Sequence, residues 1–198
     1  MNHTQEKREP HSESPTMKTV RHVLGLVAGF GFHGVIMPFA IYHVNLFCDR
    51  LMGFDPFGDF SWRKPVAIVF LSVGLLFVFW ANTYLVIIGK GGPFNYHRVV
   101  KISPKTERLV TGGPYLFTRN PMAFGAFTAY LSIPIFIGSI SGILLFFFFF
   151  FLALLYFRHI EEPRLLDEFG DEYARYRRRV SQIIPLPPKS EKQGDKPS

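Results

Sequence analysis

The stretch that decides the fold is "PMAFGAFTAYLSIPIFIGSISGILLFFFFFFLALLYF", residues 121–157. With Asn120 it forms a block of 38 residues without Asp, Glu, Lys or Arg. As one straight helix the block would run about 57 Å, far beyond the ~30 Å of a bilayer core. Near its middle stands Gly138-Ser139-Ile140-Ser141-Gly142, a run of turn residues. The block therefore reads as two short spans, 121–137 and 143–157, folded into a tight hairpin. Two more uncharged blocks, 22–47 and 65–88, are each long enough for one crossing. The expected fold is an all-α integral membrane protein of about four transmembrane helices. A soluble bundle would need a polar face on each helix, and these blocks have none.

Charge follows this division. The 198-residue chain is 48% hydrophobic with a formal net charge of +7. Lys and Arg gather before the first block, in 89–119 and after 157, while 48–64 carries only Arg50, Arg63 and Lys64. Positive residues favour the cytoplasmic side, so both termini are expected there. Topology and attraction to anionic lipid then account for the basic balance, and no nucleic-acid partner is implied. Cys48 is the only cysteine, which rules out an intrachain disulfide or a cysteine metal cluster; no metal is expected. The ends, 1–17 and 188–198, are polar and expected to be disordered, leaving a membrane domain over 18–187. His33 lies inside the first block, where a polar side chain needs a partner, and is expected to hydrogen-bond across the bundle.

Polar chemistry gathers in two segments. The 89–121 connection is long and dense in Gly and Pro. Gly112 and Gly113 permit close backbone approach to a ligand, and Pro114 and Pro121 stiffen the path into the next helix. A rigid re-entry into the membrane explains the same residues without chemistry. The second segment starts at Arg158. Glu162, Leu165, Phe169, Tyr173, Tyr176 and Val180 recur every three or four residues, marking one face of an amphipathic helix. Most of Arg175, Arg177, Arg178 and Arg179 point elsewhere, toward solvent or headgroups. A helix lying on the lipid surface would show the same period. Arg158 sits three and four residues before Glu161 and Glu162, so an ion pair is available.

Read together, "ERLVTGGPYLFTRNPM" (107–122) and "EEPRLLDEFGDEYARY" (161–176) resemble the isoprenylcysteine carboxyl methyltransferase and phospholipid methyltransferase superfamily. The resemblance covers about 89–187. It implies a cofactor region there that encloses S-adenosylmethionine at the cytoplasmic membrane surface, with a lipophilic or membrane-partitioned acceptor arriving from the bilayer. Carried over by position, Leu109, Val110, Gly113 and Tyr115 would line the cofactor pocket and Asn120, Pro121 and Met122 would form its wall. Glu161 or Glu162 would hold polar groups of the cofactor. Arg119 and Arg158 are the catalytic candidates: Arg119 as a donor to a carboxylate, Arg158 near the substrate-side Arg of the carboxyl methyltransferases. Ala123 stands where the family usually has Tyr. A non-enzymatic membrane scaffold or transport accessory is the alternative these helices leave open.

Overall fold

The computed structural model describes residues 20, 23, 27, 29–89, 95–96, 100–101 and 108–189. The polar N-terminus 1–17, the tail beyond residue 189, the first residues of the 22–47 block and most of the 90–107 stretch lie outside the described residues. Helix α1 covers Gly29–Met52 and α2 Phe60–Ile87. Helix α3 covers Pro121–Ile137, α4 Ile140–Tyr156 and α5 Glu162–Arg179. A short antiparallel pair, Asn95–Tyr96 with Val100–Lys101, lies in the connecting loop.

Three helical stretches, Gly29–Met52, Phe60–Ile87 and Ile140–Arg179, are long and apolar enough to cross a membrane. The fourth, α3, has 17 residues, or about 25 Å at 1.5 Å per residue, slightly short of a bilayer core. The Pro121–Ile137 span has the ends expected from sequence, and the other three differ. The first runs on to Met52 past residue 47, and the second starts at Phe60 ahead of residue 65. Arg63 can enter the helix because it is buried at the hairpin turn, with Nη1 donating to the Phe136 carbonyl at 3.4 Å. The hairpin turn is tighter than the five-residue run suggested. Only Gly138 adopts the left-handed conformation (φ 75, ψ 30), and α4 begins at Ile140 rather than 143.

The closest helix pair is α2 against α3, and small residues make it close. A Cβ on Gly125 would lie 2.7 Å from the Gly74 carbonyl oxygen, and one on Gly74 would collide with the backbone of Ala129. Within a bilayer, where apolar burial from water gives no drive, such close backbone approach supplies the dispersion contacts that hold helices together. Phe77 and Phe124 meet edge to face beside this seam at 4.7 Å. At the turn end, α1 is tied to the hairpin by polar groups. Asp49 Oδ1 accepts from the Ser141 amide at 3.0 Å and from its hydroxyl at 2.6 Å, and Ser139 Oγ caps α4 through the Gly142 amide.

Two π-helical turns, Phe32–Ile36 and Phe157–Glu161, share a cause. Each lies just ahead of a proline, Pro38 or Pro163, which has no N–H for the carbonyl four residues earlier and crowds it. In the first, the cross-bundle contact of His33 is made by its backbone: the carbonyl accepts from the Tyr130 hydroxyl at 2.9 Å, while Nδ1 lies 3.2 Å from Gly29 O of its own helix.

Candidate active site

The hairpin returns the chain to the end where α2 finished, so the 108–120 loop and the start of α5 meet there. Gly112 is extended and Gly113 has φ +59, which sets up the helical turn Gly113–Leu116. A Cβ at Gly113 would run into the Tyr84 ring, so the loop can cross the end of α2 only with glycine here. The loop is then strapped to the segment after α5. Arg119 N donates to Ser181 O at 2.9 Å, Leu186 N to Phe117 O at 2.9 Å, and Asn120 Nδ2 to Gln182 O at 2.9 Å. Buried Thr118 adds a bond to Gln182 O at 3.2 Å.

Helix α5 supplies the other wall. The face drawn from its period is the buried one: Glu162, Tyr173, Tyr176 and Val180 are buried, and Leu165 and Phe169 pack beside them with Leu109 and Tyr115. That face is spent on the protein's own loop, not on a lipid surface. Gly170 (φ 54, ψ −132) breaks the helix between Phe169 and Asp171, so the two halves wrap around the loop. The Tyr176 hydroxyl donates to the Tyr115 carbonyl at 2.6 Å. Burial pushes the phenols of Tyr115 and Tyr176 well above the ordinary range, and that of Tyr173 up to about 12 with help from the nearby Glu162 charge. They stay protonated and act as packing and donor groups.

The π-helical turn before Pro163 separates the roles of the two glutamates. Glu161 turns outward and pairs with Arg164, whose Nη2 is 2.5 Å from Oε1; Arg164 also holds Glu168 at 2.9 Å. The hydrogen bond it donates to Glu161, together with both carboxylate charges, holds the Arg164 guanidinium above its usual range. Glu162 turns inward. Its Oε1 lies 2.8 Å from Arg119 Nη2 and its Oε2 3.4 Å from Arg177 Nη1. The Arg119 contact is an ion pair by distance, yet its N–H is not directed at the oxygen. Among the described residues, buried Glu162 Oε1 and Arg119 Nε both lack a hydrogen-bond partner. Arg119 is instead anchored through Nη1 to the Arg177 carbonyl at 3.2 Å.

Over this pair opens a polar cleft of about 520 Å³ lined by Arg119, Arg158, His159, Glu162, Arg177 and Gln182. Its volume falls in the roughly 300–1,000 Å³ range of small-molecule sites. Of the candidates drawn from sequence, Arg119, Arg158 and Glu162 come together here. Asn120 reaches its edge through Gln182 O. Leu109, Val110, Gly113, Tyr115 and Pro121 lie behind it in the packed loop, and Met122 is half-buried in the first turn of α3. Two expectations are corrected. Arg158 does not pair with the glutamates, because the π-helical turn rotates it into the cleft wall and Arg164, Arg119 and Arg177 take them up. Arg177 does not face away, because the break at Gly170 swings it back over Glu162. His159 and Gln182 were not legible as site residues. For His159 the signal was its place between Arg158 and the Glu pair; Gln182 had none.

Parts of this chain resemble known proteins. The phospholipid methyltransferase family matches residues 62–172, from α2 into α5. The chain is 30% identical over 140 residues to methanethiol S-methyltransferase 1 of Bradyrhizobium diazoefficiens, covering 63% of this chain and 48% of the relative. It is 34% identical over 92 residues to the protein-S-isoprenylcysteine O-methyltransferase of Schizosaccharomyces pombe, covering 46% of this chain and 39% of that protein. The matches thus span less than half the length of either relative. No solved structure matches the chain. The match across the helices and the acidic start of α5 covers more than half of the sequence, and on it the chain belongs to the phospholipid methyltransferase family.

Proposed function

We propose that the chain is an integral-membrane methyltransferase that draws its methyl group from S-adenosylmethionine and acts on a lipophilic or membrane-partitioned acceptor at the cytoplasmic surface. One observation carries the proposal: a buried carboxylate oxygen and a buried guanidinium N–H, Glu162 Oε1 and Arg119 Nε, stand unsatisfied at one cleft. Buried polar atoms are seldom left so, and a ligand that brings both a donor and an acceptor satisfies both. The amino-acid end of S-adenosylmethionine carries an ammonium and a carboxylate, and it fits the pair. Glu162 would take the ammonium and Arg119 the carboxylate. Glu161 is already engaged with Arg164, which makes Glu162 the cofactor glutamate of the two. Leu109, Val110, Gly113, Tyr115, Asn120, Pro121 and Met122 would hold the loop that backs the pocket.

When bound, the cofactor supplies a sulfonium-activated methyl group. The chain's part is to hold donor and acceptor in line and keep water out, which is where proximity and alignment lower a displacement barrier. The relatives' names cover a thiol sulfur and an oxygen as acceptors, and both are compatible with an entry from the membrane. Excess Lys and Arg at this end supports a cytoplasmic site. The test is a calorimetric titration of the purified chain with S-adenosylhomocysteine. Saturable micromolar binding is expected; silence at high micromolar concentrations would leave the scaffold reading.

A further inference from the structure

The cleft holds three guanidiniums, those of Arg119, Arg158 and Arg177, against the single carboxylate of Glu162. Among the described residues Arg158 has no ion pair, so its charge faces the cleft uncompensated. Beside it stands His159, exposed in the cleft wall. Of the lining residues it is the one whose ring nitrogen can accept a proton and pass it on. An arginine cannot give up its proton, Glu162 is held by two arginines, and Gln182 does not titrate. The charged residues that line the cleft with His159 are Arg158 and Glu162 on its own stretch of helix, Arg119 on the loop and Arg177 on the far half of α5, while Glu161 next to them pairs with Arg164.

Resting on the methyltransferase reading, we propose that His159 is a catalytic base and that the acceptor is a thiol. A carboxylate acceptor is already ionised at neutral pH and gives a base nothing to do. An amine acceptor is mostly a protonated cation there, and once Glu162 holds the cofactor ammonium the cleft keeps no carboxylate to receive it. A thiol fits both features. It enters neutral, it must lose its proton because the thiolate is the nucleophile, and the surrounding positive charge stabilises the anion that forms. In the step, the S–H bond breaks and its proton passes to the unprotonated ring nitrogen of His159. The freed sulfur electron pair forms the new S–CH₃ bond. The electrons of the donor's S–CH₃ bond remain on its sulfur, which leaves as a neutral thioether. Because His159 is exposed, its proton then passes to water.

The experiment uses the full chain in lipid nanodiscs with isotope-labelled S-adenosylmethionine and three acceptors offered in parallel: octanethiol, an S-prenylcysteine carboxylate and phosphatidylethanolamine. Methylation of octanethiol in preference to the others is expected. A free thiol is only a few per cent ionised at pH 7, so His159→Gln should cut kcat there about tenfold or more. The deficit should close near pH 9–10 as the thiol ionises unaided, with S-adenosylhomocysteine affinity held within about twofold. His159→Asn repeats the measurement should Gln disturb folding. Preferred methylation of the carboxylate or the amine, or a His159→Gln deficit that is absent or constant with pH, overturns the proposal. Binding of S-adenosylhomocysteine with no octanethiol product also overturns it while sparing the cofactor assignment. Absence of that binding removes the methyltransferase reading itself.

Discussion

Arg119 Nη2 lies 2.8 Å from Glu162 Oε1, joining the loop before α3 to the first residue of α5 across the returning hairpin. Both side chains are almost fully buried, so neither charge has water to fall back on. Glu162→Gln keeps the shape and removes the charge. Loss of a charge-assisted bond to the cofactor ammonium should weaken S-adenosylhomocysteine binding by about 1.5–3 kcal/mol, or ten- to a hundredfold. The melting temperature should fall as well, because buried Arg119 loses its counter-charge, but with a smaller free-energy change than the loss in binding. Calorimetry and thermal unfolding in the same detergent check this, and equal losses in both would mark Glu162 as a structural ion-pair residue only.

The α2–α3 seam should tolerate no side chain at Gly125, because a Cβ there meets Gly74 O at 2.7 Å. Gly125→Leu should separate the helices and cost about 1–3 kcal/mol or more by overpacking. Gly170→Ala offers a contrast: nothing lies within 4 Å of its Cβ, so its cost comes from the positive φ alone. Thermal unfolding of Ala and Leu variants at each position should show Gly125 sensitive to side-chain size and Gly170 indifferent to it.

Ser139 caps α4 through the Gly142 amide at 2.9 Å. Ser139→Ala should lose about 1 kcal/mol. Ser139→Asp should not recover it, because Ser139 is buried beside Asp49 and a second carboxylate there is repelled. Unfolding midpoints of the two variants decide.

Alkaline pH should unfold the protein through its buried phenols. Tyr173 keeps its proton to about pH 12 in the folded state, whereas an unfolded tyrosine loses it near 10. Below pH 10 both states are protonated and the stability is intact. Between about pH 10 and 12 only the unfolded state releases the proton, so stability falls as pH rises. Tyr173→Phe should shift the alkaline unfolding midpoint upward, as followed by circular dichroism against pH.

The proposed topology makes its own demand. In a Cys48→Ser background, Lys189→Cys should react with a membrane-impermeant thiol reagent only when the cytoplasmic face is exposed. Labelling from the opposite face would reverse the orientation drawn from the Lys and Arg distribution.

Much of this protein was legible in order along the chain. The uncharged blocks gave the helices, because a backbone in hydrocarbon must satisfy its own hydrogen bonds. The 3.6-residue period from Glu162 to Val180 gave the buried face of α5, because burial selects one stripe of a helix. Span ends were less legible. Arg63 looked like loop until the Phe136 carbonyl at the hairpin turn gave it a donor's partner.

The sequence by itself determined that the chain threads a bilayer and that its polar chemistry gathers at one end, since both follow from local composition and period. Tertiary structure alone decided which glutamate faces inward, which arginines meet it and that His159 joins them. Those outcomes depend on a π-helical turn set by Pro163, on the break at Gly170 and on a loop strapped to residues 181–186. Each rotates or carries side chains by amounts that depend on contacts distant in the chain, and no local pattern encodes them.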